Sequence, residues 1–93
     1  VNLKSSEIIK RLAGLDMWEQ LNQTQEECGE LITAINHFRR KKSIEEYDHL
    51  CEEVADVSIM VNQCMCFLDG EIINKKISEK LARAGERLKN GTI

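Results

Sequence analysis

The chain has no proline, only 5 glycines, and 4 aromatic residues: Trp18, Phe38, Tyr47 and Phe67. So few turn formers and so few β-branched or aromatic runs exclude an all-β domain, which needs both at short intervals. No apolar run approaches the roughly 18–20 residues that a membrane helix requires, so no membrane partner is expected. No stretch built like a signal peptide opens the sequence, which starts at Val1, and a cytoplasmic location is the expectation. A dominant charge is missing as well. The 13 Lys and Arg stand against 16 Asp and Glu, a formal net charge of -3. That balance excludes a general polyanion binder, and with it a nucleic-acid partner. There is no CxxC. Cys28, Cys51, Cys64 and Cys66 lack the paired spacing of a zinc site and are expected as buried free thiols in a reducing compartment.

What is present is a globular composition, 42% hydrophobic and 31% charged, over 93 residues. One domain spanning 1–93 is expected. A lone helical chain of this size buries a modest core, so self-association is expected too.

Four helices can be read. The first runs from about Ser6 to Leu12, with Ser5 or Ser6 as N-cap and Gly14 as its stop. The second runs from about Asp16 to Arg40, with Leu21, Cys28, Leu31, Ile35 and Phe38 recurring at helical spacing. Ser43 and Glu46 form a Ser-x-x-Glu capping box for the third. Its apolar stripe is Tyr47, Leu50, Val54, Val57, Val61, Cys64 and Leu68, an unbroken four-three alternation that Asp69-Gly70 ends. The fourth runs from about Glu71 to Lys89 and stops at Asn90-Gly91. The fold class is therefore all-α, a four-helix bundle chain whose core is completed by homo-oligomerisation.

Charge is divided between these helices. Asp16 to Asp56 holds eleven acids against four bases, Arg39 to Lys42, whereas the stretch from Glu71 onward holds six bases against three acids. Acidic helices followed by a basic one suit a cation site beside an anion site.

The acids are patterned. Glu26-Glu27-Cys28-Gly29-Glu30-Leu31 and Glu52-Glu53-Val54-Ala55-Asp56-Val57 both read acid, acid, x, small, acid, apolar. With Cys28 and Val54 each placed at heptad position a, Glu27 and Glu53 both fall at g, and Glu30 and Asp56 both fall at c. The helix-helix turn lies near Lys42. Counted from there, the two pairs sit within about 1.5 Å of level in an antiparallel hairpin, at ~1.5 Å rise per residue. Four carboxylates converging beside an apolar core repel one another unless a cation lies among them. Hard oxygen donors in this number suit Mg²⁺ or Mn²⁺. A di-iron site needs two Glu-x-x-His motifs, and Glu46 to His49 is the only one, which leaves His49 as a polar residue at the rim.

Glu26-Glu27-Cys28-Gly29-Glu30, followed after 22 residues by Glu53-Val54-Ala55-Asp56, resembles the EExxE…ExxD signature of the MazG-like all-α nucleoside triphosphate pyrophosphohydrolases. Gln20-Leu21-Asn22 before it, and Glu79 to Arg83 with Glu86 to Leu88 after it, look like the flanks of the same family. The resemblance implies Mg²⁺ bound through Glu27, Glu30, Glu53 and Asp56. It also implies a tightly intertwined dimer or tetramer, and hydrolysis of an NTP or dNTP to monophosphate and pyrophosphate. The short chain resembles the family's single-domain type. One of the four acids, or the outer Glu26, would orient or deprotonate the attacking water.

Lys80, Arg83 and Arg87 share one helix face and are candidates for clamping phosphate. Gln20, Gln23 and His37 share the stripe of the acids on the second helix; His49, Met60 and Gln63 share it on the third. From these, Gln20, Gln23, His37 and Met60 are the candidates for a nucleobase pocket. Trp18, level with Cys66 or Phe67 in the hairpin, is expected in core or interface packing. Two rival functions stand beside this one: a phosphoribosyl-ATP pyrophosphohydrolase, which shares the bundle and its acids, and a non-catalytic helical oligomer.

Overall fold

In the computed structural model, residues 3–92 are described; Val1, Asn2 and Ile93, at the ends of the expected 1–93 domain, lie outside the described residues. Four helices follow one another: α1 (Ser5–Ala13), α2 (Met17–Lys41), α3 (Ile44–Phe67) and α4 (Gly70–Lys89). There is no strand among the described residues.

The helix ends follow the side chains that can cap them. Asp16 accepts from the Glu19 N–H at 3.1 Å and opens α2. Ser43 accepts from the Glu46 N–H at 3.2 Å and opens α3. The expected capping box is only half formed, because the Glu46 carboxylate turns instead towards His37, 3.9 Å away. Neither Ser5 nor Ser6 caps α1; both lie within its first turn, and the N-cap position falls on Lys4, which makes no side-chain cap bond. Asp69 does not end α3. That helix stops at Phe67, and Asp69 caps α4 by accepting from the N–H groups of Glu71 and Ile72. Between α2 and α3 the reversal is made by Lys42, in the left-handed conformation (φ 54°, ψ 31°), whose N–H closes α2 on the Phe38 carbonyl at 2.8 Å. Phe38 and Tyr47 pack across this turn with ring centroids 5.7 Å apart.

α2 and α3 form an antiparallel hairpin, α1 packs against the C-terminal half of α3, beside Ile59, Cys66 and Phe67, and α4 touches little but α3. The residues that face one another in the hairpin are Gln20, Glu27, Leu31, Ala34 and Phe38 on α2, and Glu46, Leu50, Glu53, Val57, Met60 and Cys64 on α3. Both sets step by three, four or seven, as a packed helix seam must. This differs from the stripe expected for α3. Leu50, Val57 and Cys64 do face α2, but Tyr47, Val54, Val61 and Leu68 are exposed on the adjoining face. The chain carries more apolar positions than one partner helix can cover, and the hairpin takes the set that includes Glu53. On α2 the same adjoining face carries Cys28, Ile32 and Ile35, also exposed.

The cysteines correct the sequence expectation. Cys28, Cys51 and Cys66 are exposed and Cys64 is half-buried, because three of them sit outside the hairpin seam. Trp18 is likewise not in a core, being 73% exposed. α4 buries none of its residues, and the radius of gyration is 16.6 Å, against about 12 Å for a compact chain of this length.

Candidate functional site

The seam of the hairpin is apolar at Leu31, Ala34 and Val57, yet away from the turn, where Glu46 lies, it admits two facing carboxylates. Glu53 is buried, 7% exposed, and Glu27 is half-buried opposite it. The heptad reading placed both just beside the seam; with the seam rotated, they lie in it. One turn along α2, Glu30 projects to the open side. Glu27, Glu30 and Glu53 each offer an oxygen within 4.8 Å of the others. The level placement expected from counting residues out from Lys42 is therefore met by three of the four acids. Asp56, one turn after Glu53, stands outside that trio but close enough for its charge to act on Glu30.

The electrostatics of the trio are unfavourable as they stand. The Glu30 carboxyl is held above its ordinary value of 4.5, first by the Glu27 charge and next by that of Glu53. Oε2 of Glu27 and Oε2 of Glu53 are buried without a hydrogen-bond partner. Buried acceptors normally find a donor or an ion, and an orphaned carboxylate oxygen costs more than a neutral one. No Lys or Arg approaches: among the described residues, the charge pairs within 4 Å all involve a histidine. His49 Nε2 is 3.7 Å from Glu53 Oε1, at the rim rather than within the trio. Three hard, converging carboxylates with two unsatisfied oxygens fit Mg²⁺ or Mn²⁺.

Above the trio opens a cavity of about 590 Å³ lined by Glu26, Gly29, Glu30, Thr33, His49 and Glu53. Glu26 thus shares the cavity without belonging to the trio. Gly29 and Thr33 carried no signal in the sequence beyond their place on the same face as Glu26 and Glu30.

A second cavity, about 320 Å³, lies towards the α1–α2 turn and is lined by Leu12, Leu15, Asp16, Glu19, Gln20, Gln23, Met60 and Gln63. Three of the four nucleobase candidates, Gln20, Gln23 and Met60, come together here. Gln23, on the wall of this cavity, is tied to the carboxylate trio by one hydrogen bond, in which its Nε2 donates to Glu27 Oε1 at 2.9 Å. The fourth candidate, His37, is elsewhere: with Arg40, Lys41 and Glu46 it lines a separate cavity at the hairpin turn. Lys80, Arg83 and Arg87 lie exposed along α4, and none of them lines the carboxylate cavity of its own chain.

A family model described as the MazG nucleotide pyrophosphohydrolase domain matches residues 19–83, from the start of α2 to most of the way along α4. No match was found among curated proteins or among solved structures.

Proposed function

The chain belongs to the MazG nucleotide pyrophosphohydrolase family, and from that premise we propose that it hydrolyses a nucleoside or deoxynucleoside triphosphate to the monophosphate and pyrophosphate in a Mg²⁺-dependent reaction. The observation that carries this is the pair of buried, partnerless oxygens on Glu27 and Glu53, beside the raised Glu30 carboxyl. Glu27, Glu30 and Glu53, with Asp56 from the next turn of α3, are the residues that would hold the cation. When bound, Mg²⁺ (or Mn²⁺) supplies positive charge against the phosphate oxygens as negative charge develops on them.

The chain's own groups do the rest. Glu26, in the cavity but outside the trio, orients the attacking water and takes its proton. The water oxygen bonds to the α-phosphorus in line with the leaving group. The α–β anhydride bond breaks, and pyrophosphate departs. Gln23, bonded to Glu27, ties the position of the trio to that of the base cavity.

Lys80, Arg83 and Arg87 join the substrate phosphates in an assembly, contributed by a second copy. A homodimer or homotetramer is supported by the uncovered apolar face of Ile32, Ile35, Val54 and Val61 and by the uncovered stripe of Ile77, Leu81 and Leu88 on α4. Such faces on one small chain are covered most simply by another copy of it. Nucleotide-pool cleansing or control is the role such a reaction serves. No helix among the described residues is long and apolar enough to cross a membrane.

The test is a panel of NTPs, dNTPs and phosphoribosyl-ATP, each incubated with and without Mg²⁺, with both products identified. Equimolar monophosphate and pyrophosphate from simple triphosphates, only with the metal, is the expected result. Turnover of phosphoribosyl-ATP alone would favour the first rival, and no metal-dependent product would favour a non-catalytic oligomer.

A further inference from the structure

The reversal between α2 and α3 carries four cations in a row, Arg39, Arg40, Lys41 and Lys42. The whole chain has a formal net charge of -3, so without these four it would stand at -7. They are also unpaired. Among the described residues no carboxylate lies within 4.0 Å of any of them, the close charge pairs being those of His37 and His49. A helix C-terminus presents about half a unit of negative charge, which one basic residue in its last turn answers. Four exceed that need, and neighbours of one sign repel. Acids are at hand, since Glu45, Glu46 and Asp48 follow in the first turns of α3, yet the hairpin does not bring them onto these bases.

Two of the four, Arg40 and Lys41, line a cavity of about 250 Å³ at the turn, together with His37 and Glu46. Arg40 brings a planar fork of N–H donors and Lys41 a compact ammonium. His37 enters the same space from one turn earlier on α2. Its Nδ1 faces Glu46 Oε2 at 3.9 Å, which leaves Nε2 for a ligand. The one acid on the wall is thus directed at the histidine and leaves both bases open. The carboxylate cavity is elsewhere and shares no lining residue with this one. Arg40 lies ten residues beyond Glu30 on α2, about 15 Å along the helix at ~1.5 Å per residue.

We infer that the cavity at the hairpin turn binds a small phosphate anion, of the class of inorganic phosphate or pyrophosphate, through Arg40, Lys41 and His37. Two fixed cations beside an imidazole answer a dianion or higher charge better than the single charge of a carboxylate, and the guanidinium fork matches a pair of phosphate oxygens. A long polyanion or an anionic bilayer fits less well. Either would extend past the turn onto a molecule that is otherwise strongly acidic, and be repelled there. Binding at the turn stands apart from the proposed reaction and needs no metal.

The two histidines report the two cavities separately, His37 at the turn and His49 beside the carboxylates. Their ring NMR signals, assigned with His49→Gln, should be followed in metal-free protein as sodium pyrophosphate is added. The buffer should hold about 0.15 M salt, where the Debye length of about 8 Å leaves mainly contacting charges to act. The His37 signals should move and saturate, while those of His49 stay in place. Arg40→Gln combined with Lys41→Gln should weaken binding by about tenfold or more, as for loss of charge-assisted hydrogen bonds. Arg83→Ala on α4 should leave it unchanged. No saturation at millimolar pyrophosphate, or the same movement with sodium chloride at equal ionic strength, overturns the inference. So does binding that survives the double substitution or is lost in Arg83→Ala. Should the double variant not fold, the wild-type comparison of pyrophosphate with sodium chloride decides the matter on the same terms. None of these outcomes bears on the proposed reaction, since no step of the measurement involves turnover.

Discussion

Glu27 on α2 and Glu53 on α3 face each other in the apolar seam of the hairpin, each with a buried oxygen that no donor satisfies. A packed seam normally expels such groups, since a buried charge without a partner is among the costliest features a fold can carry. Their retention beside Glu30 is what a bound cation would account for.

Turnover should depend on each acid in a distinct way. Glu53→Gln and Asp56→Asn should each lower Mg²⁺-dependent pyrophosphate release by about two orders of magnitude, as when a group holding transition-state charge is removed. Glu26→Gln should slow turnover while leaving the Mg²⁺ concentration for half-maximal rate nearly unchanged. Full Mg²⁺-dependent activity in Asp56→Asn would remove that residue from the site.

The basic helix offers a test of assembly. Lys80→Ala and Arg83→Ala should each raise KM or lower kcat while leaving Mg²⁺ binding to the free protein intact. If a second copy supplies these cations, mixing inactive Glu53→Gln with weakened Arg83→Ala and allowing subunits to exchange should restore activity above that of either alone. Light scattering at micromolar concentration should give a dimer or tetramer. A monomer, or no gain on mixing, would place Lys80, Arg83 and Arg87 outside the site.

Glu30 sets a pH dependence. Its folded-state carboxyl lies above the ordinary 4.5, chiefly because of Glu27. The folded protein therefore holds this proton more tightly than the unfolded chain does. That advantage is complete below 4.5 and is lost as pH rises through the raised folded value, so the metal-free Tm should fall across that window. Glu30→Gln should lack this component. Mg²⁺ competes with the same proton, so the Tm rise it produces in the wild type should shrink as pH falls through the window. Matching pH profiles for the wild type and Glu30→Gln without metal would contradict the crowding of charge at Glu30.

Lys42 gives a prediction independent of the site. It is the only non-glycine among the described residues with a positive φ, a conformation that costs an ordinary side chain about 1 kcal/mol. Lys42→Gly should stabilise the hairpin by somewhat less than that, because glycine loses more freedom on folding. Chemical denaturation measures it, and a destabilised variant would show that the Lys42 side chain contributes contacts of its own.

Much of this was legible in the sequence because helices repeat. The spacing of Glu27, Glu30 and Glu53 about the Lys42 turn sufficed to bring three acids level, and Asp16 and Ser43 announced their helices through the N–H groups they cap. The seam of α3 was not legible. Val54 and Glu53 are neighbours, and the apolar pattern pointed to Val54, whereas the hairpin buries Glu53; periodicity cannot say which of two adjoining faces meets which partner. The expectation of buried cysteines came from the general use of Cys as a small core residue, and for Trp18 the structure removes only the core half of the expectation. The hydrogen bond from Gln63 Nε2 to Gln20 Oε1 was hidden for another reason. It joins residues 43 positions apart, and its direction depends on the Ala13 and Leu15 carbonyls, which accept from Gln20 Nε2 and carry no mark in the side-chain sequence. His37 shares the face of the acids, but its place near the hairpin turn sets it in a different cavity from Gln20, Gln23 and Met60, which face alone does not disclose.

The central claim, that Glu27, Glu30 and Glu53 with Asp56 form a cation site, is tested most directly by thermal melting of the wild type and Glu53→Gln with and without Mg²⁺. Mg²⁺ should raise the wild-type Tm, since a ligand bound only by the folded state stabilises it by mass action. Glu53→Gln removes one charge from the seam at nearly constant shape and offers N–H donors to its partnerless neighbour. Without metal it should be no less stable than the wild type, and with Mg²⁺ its Tm should not move. A wild type indifferent to Mg²⁺, with Glu53→Gln markedly less stable, would mean that Glu53 is an ordinary structural carboxylate and that the site does not exist.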